Sequence, residues 1–428
     1  MSWIPAFLKR SLPKSAFIKG VSVLAGGTAI SQLIAIAVLP LLTRLYSPED
    51  FSVLAVYTSI LALVTVISCL RFEIAIPIPK EIMQAKELLA LSIISVLCVN
   101  AIVSTLILVF SDPLHAITQD RLRGYLWLIP IGGVLAGFYA AFQYWSTREK
   151  NFVLISKTRM TQAIGGASTQ LGLGYLGVTP LGLVLGQLIN VGAGVFGLFK
   201  SFYLKNGLPR NDISIAGLKS TLREYENFPK YSTFEALSNS AGIQVPILLI
   251  AAYAAGPEVG FLMLAIRLLS APMGLLGGAV GQVYLSEAPA HFQNGTLKEF
   301  TKKTVWTLAK VGGGGIFCAG AFAPTLVPII FGREWSEAGV LIAWMAPWFF
   351  MQFITTPVSM SLHIVGSQRA ALALQVLGFL LRSGVVMFIG INYTQYMTRA
   401  YALTGFAFYM IYFSVVFIIL NKNMAKDG

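Results

Sequence analysis

About twelve stretches of roughly 20 predominantly apolar residues recur along this chain, and that repetition constrains its fold more than any other feature. They lie near residues 17–43, 51–70, 87–110, 122–145, 155–176, 179–199, 232–254, 259–285, 303–331, 338–362, 370–390 and 400–421, and are called helices 1 to 12 in that order. Segments of that length suit a bilayer, where each helix satisfies its own backbone donors and acceptors away from water. Composition agrees: of 428 residues 56% are hydrophobic and 11% charged, against about 25% charged in soluble domains. The chain therefore reads as an all-α polytopic membrane protein with about 12 transmembrane helices. Its basic N-terminal segment precedes an apolar run from Phe17 past Leu33. That run exceeds the core of about 7 to 15 residues in a signal peptide, so helix 1 is expected to be retained. Cys69, Cys98 and Cys318 fall singly inside apolar stretches and imply neither a disulfide framework nor a metal site.

The formal charge of +13 raises the question of nucleic acid. The placement of the 31 Lys and Arg answers it. With the N-terminus assigned to the cytoplasm, most fall in cytoplasmic connections, leaving Arg44, Arg121, Arg123, Arg333 and Arg399 outside and Arg267 and Arg382 within helices. This asymmetry is a positive-inside signature with both termini cytoplasmic, and no nucleic-acid partner is needed to explain it. Trp127, Trp145, Trp306 and Trp335 fall at predicted helix ends, as aromatic belts do.

The longest polar connection follows helix 6 and divides the helices six and six. The expected organisation is an N-terminal lobe at 1–199, a cytoplasmic connecting loop at 200–230 and a C-terminal lobe at 231–428. Weak internal similarity pairs LRFEIAIPIP at 70–79 with VGQVYLSEAP at 280–289, and SPEDF at 47–51 with GPEVG at 256–260, at equivalent ends of helices 2 and 8. An offset of six helices preserves orientation, so the lobes read as parallel repeats about an axis along the membrane normal. Pro40, Pro246 and Pro272 interrupt helices 1, 7 and 8; such residues serve either close helix packing or bending during transport.

Within GFLMLAIRLLSAPMGLLGG, Gly260 to Gly278, Arg267 stands without an acidic neighbour. It is about 13 Å from Glu258 along a helix that crosses a core about 30 Å thick. Arg382 lies about 20 Å along helix 11 from Arg369. A guanidinium at mid-depth costs at least about 2.5 to 3.5 kcal/mol on insertion scales. Either it snorkels or pairs with backbone carbonyls, or a bound anion offsets the cost. Among acidic residues only Glu235, Glu73 and Glu287 approach the membrane interior, and no carboxylate stands at mid-depth. Export of cationic compounds normally needs such a carboxylate, whereas unpaired arginines suit an anionic cargo, phosphate in particular. His115, His291 and His363 are scattered. No P-loop, Asp-x-Asp pair or Ser/His/Asp grouping is present, so neither enzyme, metal nor cofactor is expected.

The segments GTAISQLIAIAVLPLLTRLYSPEDFSVLAVYTSI, LRFEIAIPIPK, FPKYSTFEALSNSAGIQVPILL and GFLMLAIRLLSAPMGLLGGAVGQVYLSEA occur here in that order. Together they resemble the Wzx-type oligosaccharide flippases, the polysaccharide biosynthesis branch of the multidrug/oligosaccharidyl-lipid/polysaccharide exporter superfamily. The resemblance implies a V-shaped, two-lobed MATE-like exporter fold in the bacterial inner membrane. It implies movement of undecaprenyl-diphosphate-linked oligosaccharide by alternating access for O-antigen, capsule or exopolysaccharide assembly. Membrane lipids, a polysaccharide polymerase and a chain-length regulator are the partners it suggests. Arg71-Phe72-Glu73 matches the family's Arg-aromatic-Glu pattern, and Arg267 occupies the helix 8 position of a cavity arginine in related lipid II flippases. Arg71, Arg382 and Arg44 are further substrate-binding candidates, with interfacial placement the alternative for Arg71 and Arg44. Gln32, Gln244 and Gln282 could bond sugar hydroxyls or neighbouring helices. Glu235 and Glu73 are the coupling candidates. The competing readings are a cation-coupled drug exporter of the same superfamily and a non-transporting scaffold for glycan assembly.

Overall fold

The computed structural model describes residues 16–207, 213–254 and 256–424, and they are helical with no strand. Helix 1 comprises Ala16–Ala37, a break at Val38 and Leu39–Leu45, with Pro40 in the first turn after the break, where its missing N–H costs nothing. Helices 2 to 5 span Pro48–Ser68, Ile82–Val109, Leu128–Arg148 and Phe152–Tyr175. Helix 6 is Leu181–Gly192 continued by Gly194–Asn206. After a connecting helix, Ile215–Glu224, and a π turn at Phe228–Ser232 comes helix 7, Thr233–Tyr253. Helix 8 is Glu258–Pro272, a π turn Met273–Gly277, and Gly278–Gln293. Helices 9 to 12 are Leu297–Phe331, Ser336–Thr355, Gln368–Asn392 and Met397–Met424.

Among the described residues ten of these helices are long and apolar enough to cross a membrane; helices 5 and 8 are the exceptions. Twelve uniformly apolar helices were expected, and the two departures have physical reasons. Helix 5 carries Lys157, Arg159, Gln162 and Gln170 along its length. Helix 8 is divided by the π turn that follows Pro272. Both contribute lining residues to a cavity inside the bundle, where polar side chains and irregular backbone can be accommodated.

The helices alternate in direction, so the bundle has two ends. One carries residues 46–47, 110–127, 176–180, 254, 256–257, 332–335 and 393–396; we call it the seam end. There a single apolar core joins the first six helices to the last six, running from Leu39, Leu54 and Leu183 to Leu262, Trp335 and Tyr401. Toward the opposite end the core divides into separate clusters, one around Phe72, Leu88 and Trp145, another around Tyr284, Leu362 and Val416.

The seam is built mostly of helix termini that satisfy one another. The first turn of helix 2 closes a capping box in which the Asp50 N–H donates to Ser47 Oγ (3.2 Å) and the Ser47 N–H to Asp50 Oδ2 (2.9 Å). Ser52 Oγ then accepts the Gly260 N–H from the start of helix 8 (2.9 Å). Arg44 Nη2 donates to the Ile329 and Ile330 carbonyls at the end of helix 9 (3.0 and 3.4 Å). Arg121 donates to the carbonyls of Ala251, Ala254 (2.6 Å) and Gly256 (3.1 Å) at the end of helix 7. Burial lowers the Arg121 pKa from its ordinary value while nearby Glu258 opposes that shift. Trp335 Nε1 donates to the Thr43 carbonyl (3.1 Å), and its ring meets Phe51 edge-on at 4.8 Å. Terminal carbonyls lack partners within their own helix, so such caps join the two halves and stabilise each helix end at once.

The four tryptophans expected in aromatic belts divide accordingly. Trp127 and Trp306 are exposed, whereas Trp335 is fully buried in the seam and Trp145 packs edge-on against Phe202. A helix-end position does not specify which way a ring points.

Gly260 permits a close approach of helices 2 and 8: a Cβ there would overlap the Pro48 carbonyl oxygen. Gly260→Ala is therefore expected to part helices 2 and 8 at a cost of about 1 to 3 kcal/mol. Maleimide labelling of Ser52→Cys from the seam side should rise about fivefold or more in that background. Equal labelling with and without the alanine would show that the contact does not hold the seam shut.

Candidate functional site

Midway along the bundle, helices 1, 5, 6 and 8 enclose a cavity of about 190 Å³. Helix 5 presents Ala163, Gly166, Ala167 and Gln170 to it, helix 6 Gln187 and Asn190, helix 1 Gln32 and Ala35, and helix 8 Arg267 and Ser270. Small residues thin its wall. Gly166 and Gly186 bring helices 5 and 6 backbone to backbone, since a Cβ on either would lie within 2.9 Å of the other's carbonyl oxygen. Polar side chains brace that contact: Gln162 Nε2 donates to the Val191 carbonyl (3.0 Å), Gln170 Nε2 to Leu183 (3.2 Å) and Asn190 Nδ2 to Gln162 (3.3 Å). In a low-dielectric setting such bonds hold helices in register where apolar association is weak.

Arg267 is the one charged residue among the described residues that line this cavity. Its guanidinium makes no hydrogen bond or ion pair among the described residues, although the group offers five N–H donors. The side chains of Gln32 and Gln187 are likewise without a described hydrogen bond. The site is thus a small polar chamber with a fixed positive charge, unpaired donors and no carboxylate. It can accept an anion of headgroup size, but its volume is below the roughly 300 Å³ of pockets that enclose drug-sized ligands.

The other residues singled out from sequence are placed elsewhere. Arg382 is 5% exposed, donates through Nε to the Gly378 carbonyl (2.9 Å) and stacks 4.9 Å over the Phe408 ring between helices 11 and 12. Arg44 caps helix 9 at the seam. Arg71 lies at the opposite end, in a turn where Leu70 and Arg71 both adopt left-handed backbone (φ 48° and 63°). That conformation costs about 1 to 2 kcal/mol per residue, and it folds Phe72–Ala75 beneath helices 3 and 4. Glu73 is thereby 5% exposed, with Oε1 3.5 Å from Arg71 Nη1 and Oε2 lacking a hydrogen bond among the described residues. Burial raises the Glu73 pKa from its ordinary value, and Arg71 offsets part of the shift. Gln244 is half-buried on helix 7, away from the cavity, and Glu235 is exposed in that helix's first turn. The Gln282 side chain lies outside the described residues.

Of the candidates, then, Arg267 and Gln32 meet at the chamber. Sequence reasoning passed over Gln170, Gln187, Asn190 and Ser270. A signal for them exists: Gln162, Gly166 and Gln170 recur at four-residue intervals, and Gln187 and Asn190 at three, so each set shares a helix face.

A family model described as polysaccharide biosynthesis protein matches residues 41–340. No curated protein sequence matches the chain. Solved structures do. An inward-facing multidrug resistance MATE family transporter of the MOP superfamily is 16% identical with a TM-score of 0.63, covering 94% of each chain. The lipid II flippase MurJ in an inward closed conformation is 13% identical with a TM-score of 0.73, covering 94% of this chain and 90% of its own. A MOP superfamily transporter from Pyrococcus furiosus, described as having reversed binding-pocket polarity, is 14% identical with a TM-score of 0.56, covering 95% and 98%. At these identities the likeness is one of fold: this is a multi-pass membrane protein with the MATE and MurJ architecture.

Because the folded state holds the Glu73 proton more tightly than the unfolded chain does, its contribution is fully present below the ordinary carboxyl pKa, about 4.3. It is lost as pH rises through the raised value. Thermal midpoints in detergent should accordingly fall with rising pH in the wild type relative to Glu73→Gln; parallel curves would exclude this coupling.

Proposed function

The chain belongs to the polysaccharide biosynthesis protein family, and from that premise we propose that it flips undecaprenyl-diphosphate-linked oligosaccharide across the bacterial inner membrane by alternating access. One observation carries the reading: the chamber at mid-bundle has a single charged lining residue among those described, an arginine with no acidic partner. A diphosphate supplies the missing counter-ion, and a planar guanidinium suits phosphate oxygens. The neutral lining residues Gln32, Gln187 and Asn190 suit sugar hydroxyls. A cation exporter of the same fold would need a carboxylate in this place, and among the described lining residues there is none.

In this reading the lobes are residues 1–199 and 231–428, joined by a connection at 200–230 that holds the end of helix 6 and the helix Ile215–Glu224, and both termini are cytoplasmic, in keeping with the distribution of Lys and Arg. The seam end then faces the periplasm. A conformation shut there, with separate apolar clusters at the other end, corresponds to an inward-facing state. Opening the seam exposes the four helix-end caps to water, which replaces them at a net cost of about 0.5 to 1.5 kcal/mol for each neutral cap and about 1.5 to 3 kcal/mol for each arginine cap, and it also parts apolar core residues such as Leu54 and Trp335. A cargo shifts the equilibrium through its differential affinity for the two states. Arg71 guards the cytoplasmic mouth, Arg44 serves the periplasmic gate, and Arg382 holds helices 11 and 12 together. Glu73, buried with a raised pKa, is a stronger candidate for proton coupling than exposed Glu235. A polymerase and a chain-length regulator would receive the product, destined for O-antigen, capsule or exopolysaccharide.

Complementation of a flippase-null strain tests the proposal. Arg267→Ala is expected to lower surface glycan about tenfold or more, since a charge-assisted contact contributes about 1.5 to 3 kcal/mol, with Arg267→Lys recovering part. Full restoration by both variants at ordinary expression would overturn the reading, and transport of cationic dyes by the purified protein would favour a drug exporter.

A further inference from the structure

Arginines that reach a neighbouring helix or the chamber fall into two groups by where their N–H donors go. Arg148 illustrates the first: its guanidinium gathers the carbonyls of Ile76, Pro79, Lys80 and Glu81, fixing the loop between helices 2 and 3. Arg44, Arg121 and Arg382 likewise bind backbone carbonyls. Arg267 belongs to the second group, and so does Arg159 on helix 5. The described hydrogen bond of Arg159 runs from Nη1 to Thr28 Oγ1 on helix 1. Thr28 is neutral, and its own hydroxyl proton goes to the Leu24 carbonyl (2.9 Å). No carboxylate pairs with Arg159 among the described residues.

Its position is as informative as its bonding. Residues 159, 163, 166 and 170 form one stripe along helix 5, and the last three line the chamber. Gly166 is as far from Tyr175 as Arg267 is from Glu258, so the two stand level, measured from the seam end. Arg159 lies seven residues further along, about 10 Å toward the opposite end and about 10 Å in from Phe152. Lys157 points away and is exposed, whereas Arg159 is half-buried. Helices 1 and 5 are in close contact at this level, where a Cβ on Gly27 would overlap the Ser156 hydroxyl. The guanidinium is therefore held against helix 1, below the level of the chamber.

We infer that Arg159 is a second phosphate-binding group, which receives the diphosphate near headgroup level and passes it to Arg267 at mid-depth. This rests on the flippase reading. A single deep arginine would require the headgroup to leave water for the membrane interior in one step. Two guanidiniums offset by about 10 Å in depth divide that transfer into two shorter steps. Arg159 has four further N–H donors available to phosphate oxygens beyond its bond to Thr28.

The test is equilibrium binding of farnesyl diphosphate to the purified full-length protein, with inorganic pyrophosphate and farnesol as separate probes. Arg159→Gln is expected to weaken farnesyl diphosphate and pyrophosphate about tenfold, to leave farnesol unchanged and to make affinity less dependent on salt. Arg159→Lys should stay within about threefold of wild type, and Thr28→Val, which removes the neutral contact and keeps the charge, should bind as wild type does. If Arg267→Gln loses binding while Arg159→Gln does not, the second site is wrong and the flippase reading stands. If the wild type binds no diphosphate, both fail. Equal losses in Arg159→Gln and Arg159→Lys would mark a structural role and overturn the proposal. So would a loss confined to phosphatidylglycerol binding, which would identify an ordinary lipid contact.

Discussion

A backbone inside hydrocarbon has no water to turn to, and the rest of this structure follows from that constraint. It forces the chain into helices, and it leaves several carbonyls and N–H groups at every helix end in need of partners. At the seam end those groups find each other across the two halves. Arg44 and Arg121 close the ends of helices 9 and 7, Trp335 closes helix 1, and Ser52 receives the start of helix 8. The same contacts that finish the helices also shut one end of the bundle. Water can substitute for each of them, so the closure is stable without being permanent.

The distribution of arginine donors separates structure from recognition. A guanidinium surrounded by carbonyls, as Arg148 is, has its charge dispersed into dipoles and its geometry fixed. One that borders a chamber with no acid nearby retains most of its potential for an incoming anion. Arg267 is placed in that way, and the polar, small-residue walls contributed by helices 5 and 6 give it room. Membership of the polysaccharide biosynthesis family and the MATE and MurJ architecture are compatible with such a chamber. Neither specifies its charge; the side chains do.

Much of the architecture was legible because hydrophobic length is a local property. Helices 2, 3, 4, 9 and 11 begin and end within several residues of where apolar runs suggest. Arg267 was legible as well, since a charge inside an apolar run needs no partner to be conspicuous. Arg382 was equally conspicuous and misleading: in sequence it resembles Arg267, yet it folds against Phe408 and the Gly378 carbonyl. Trp335 read as a belt residue and is instead the buried centre of the seam. Arg159 went unremarked because, although the run at 155–176 contains it, it was grouped with the basic residues of the connection before helix 5, and only the contact with Thr28 places it against helix 1.

By itself, the sequence determined that this chain spans a membrane many times, that basic residues gather at one set of helix ends, and that one arginine stands at mid-depth without an acid beside it in the chain. Each of these depends on residue type and spacing along a single helix. Tertiary structure decided which polar groups share a chamber, which arginines are already satisfied, and which end of the bundle is closed. Those outcomes depend on helix rotation and on contacts between segments two or three hundred residues apart, such as Arg44 with Ile329, which no local pattern encodes.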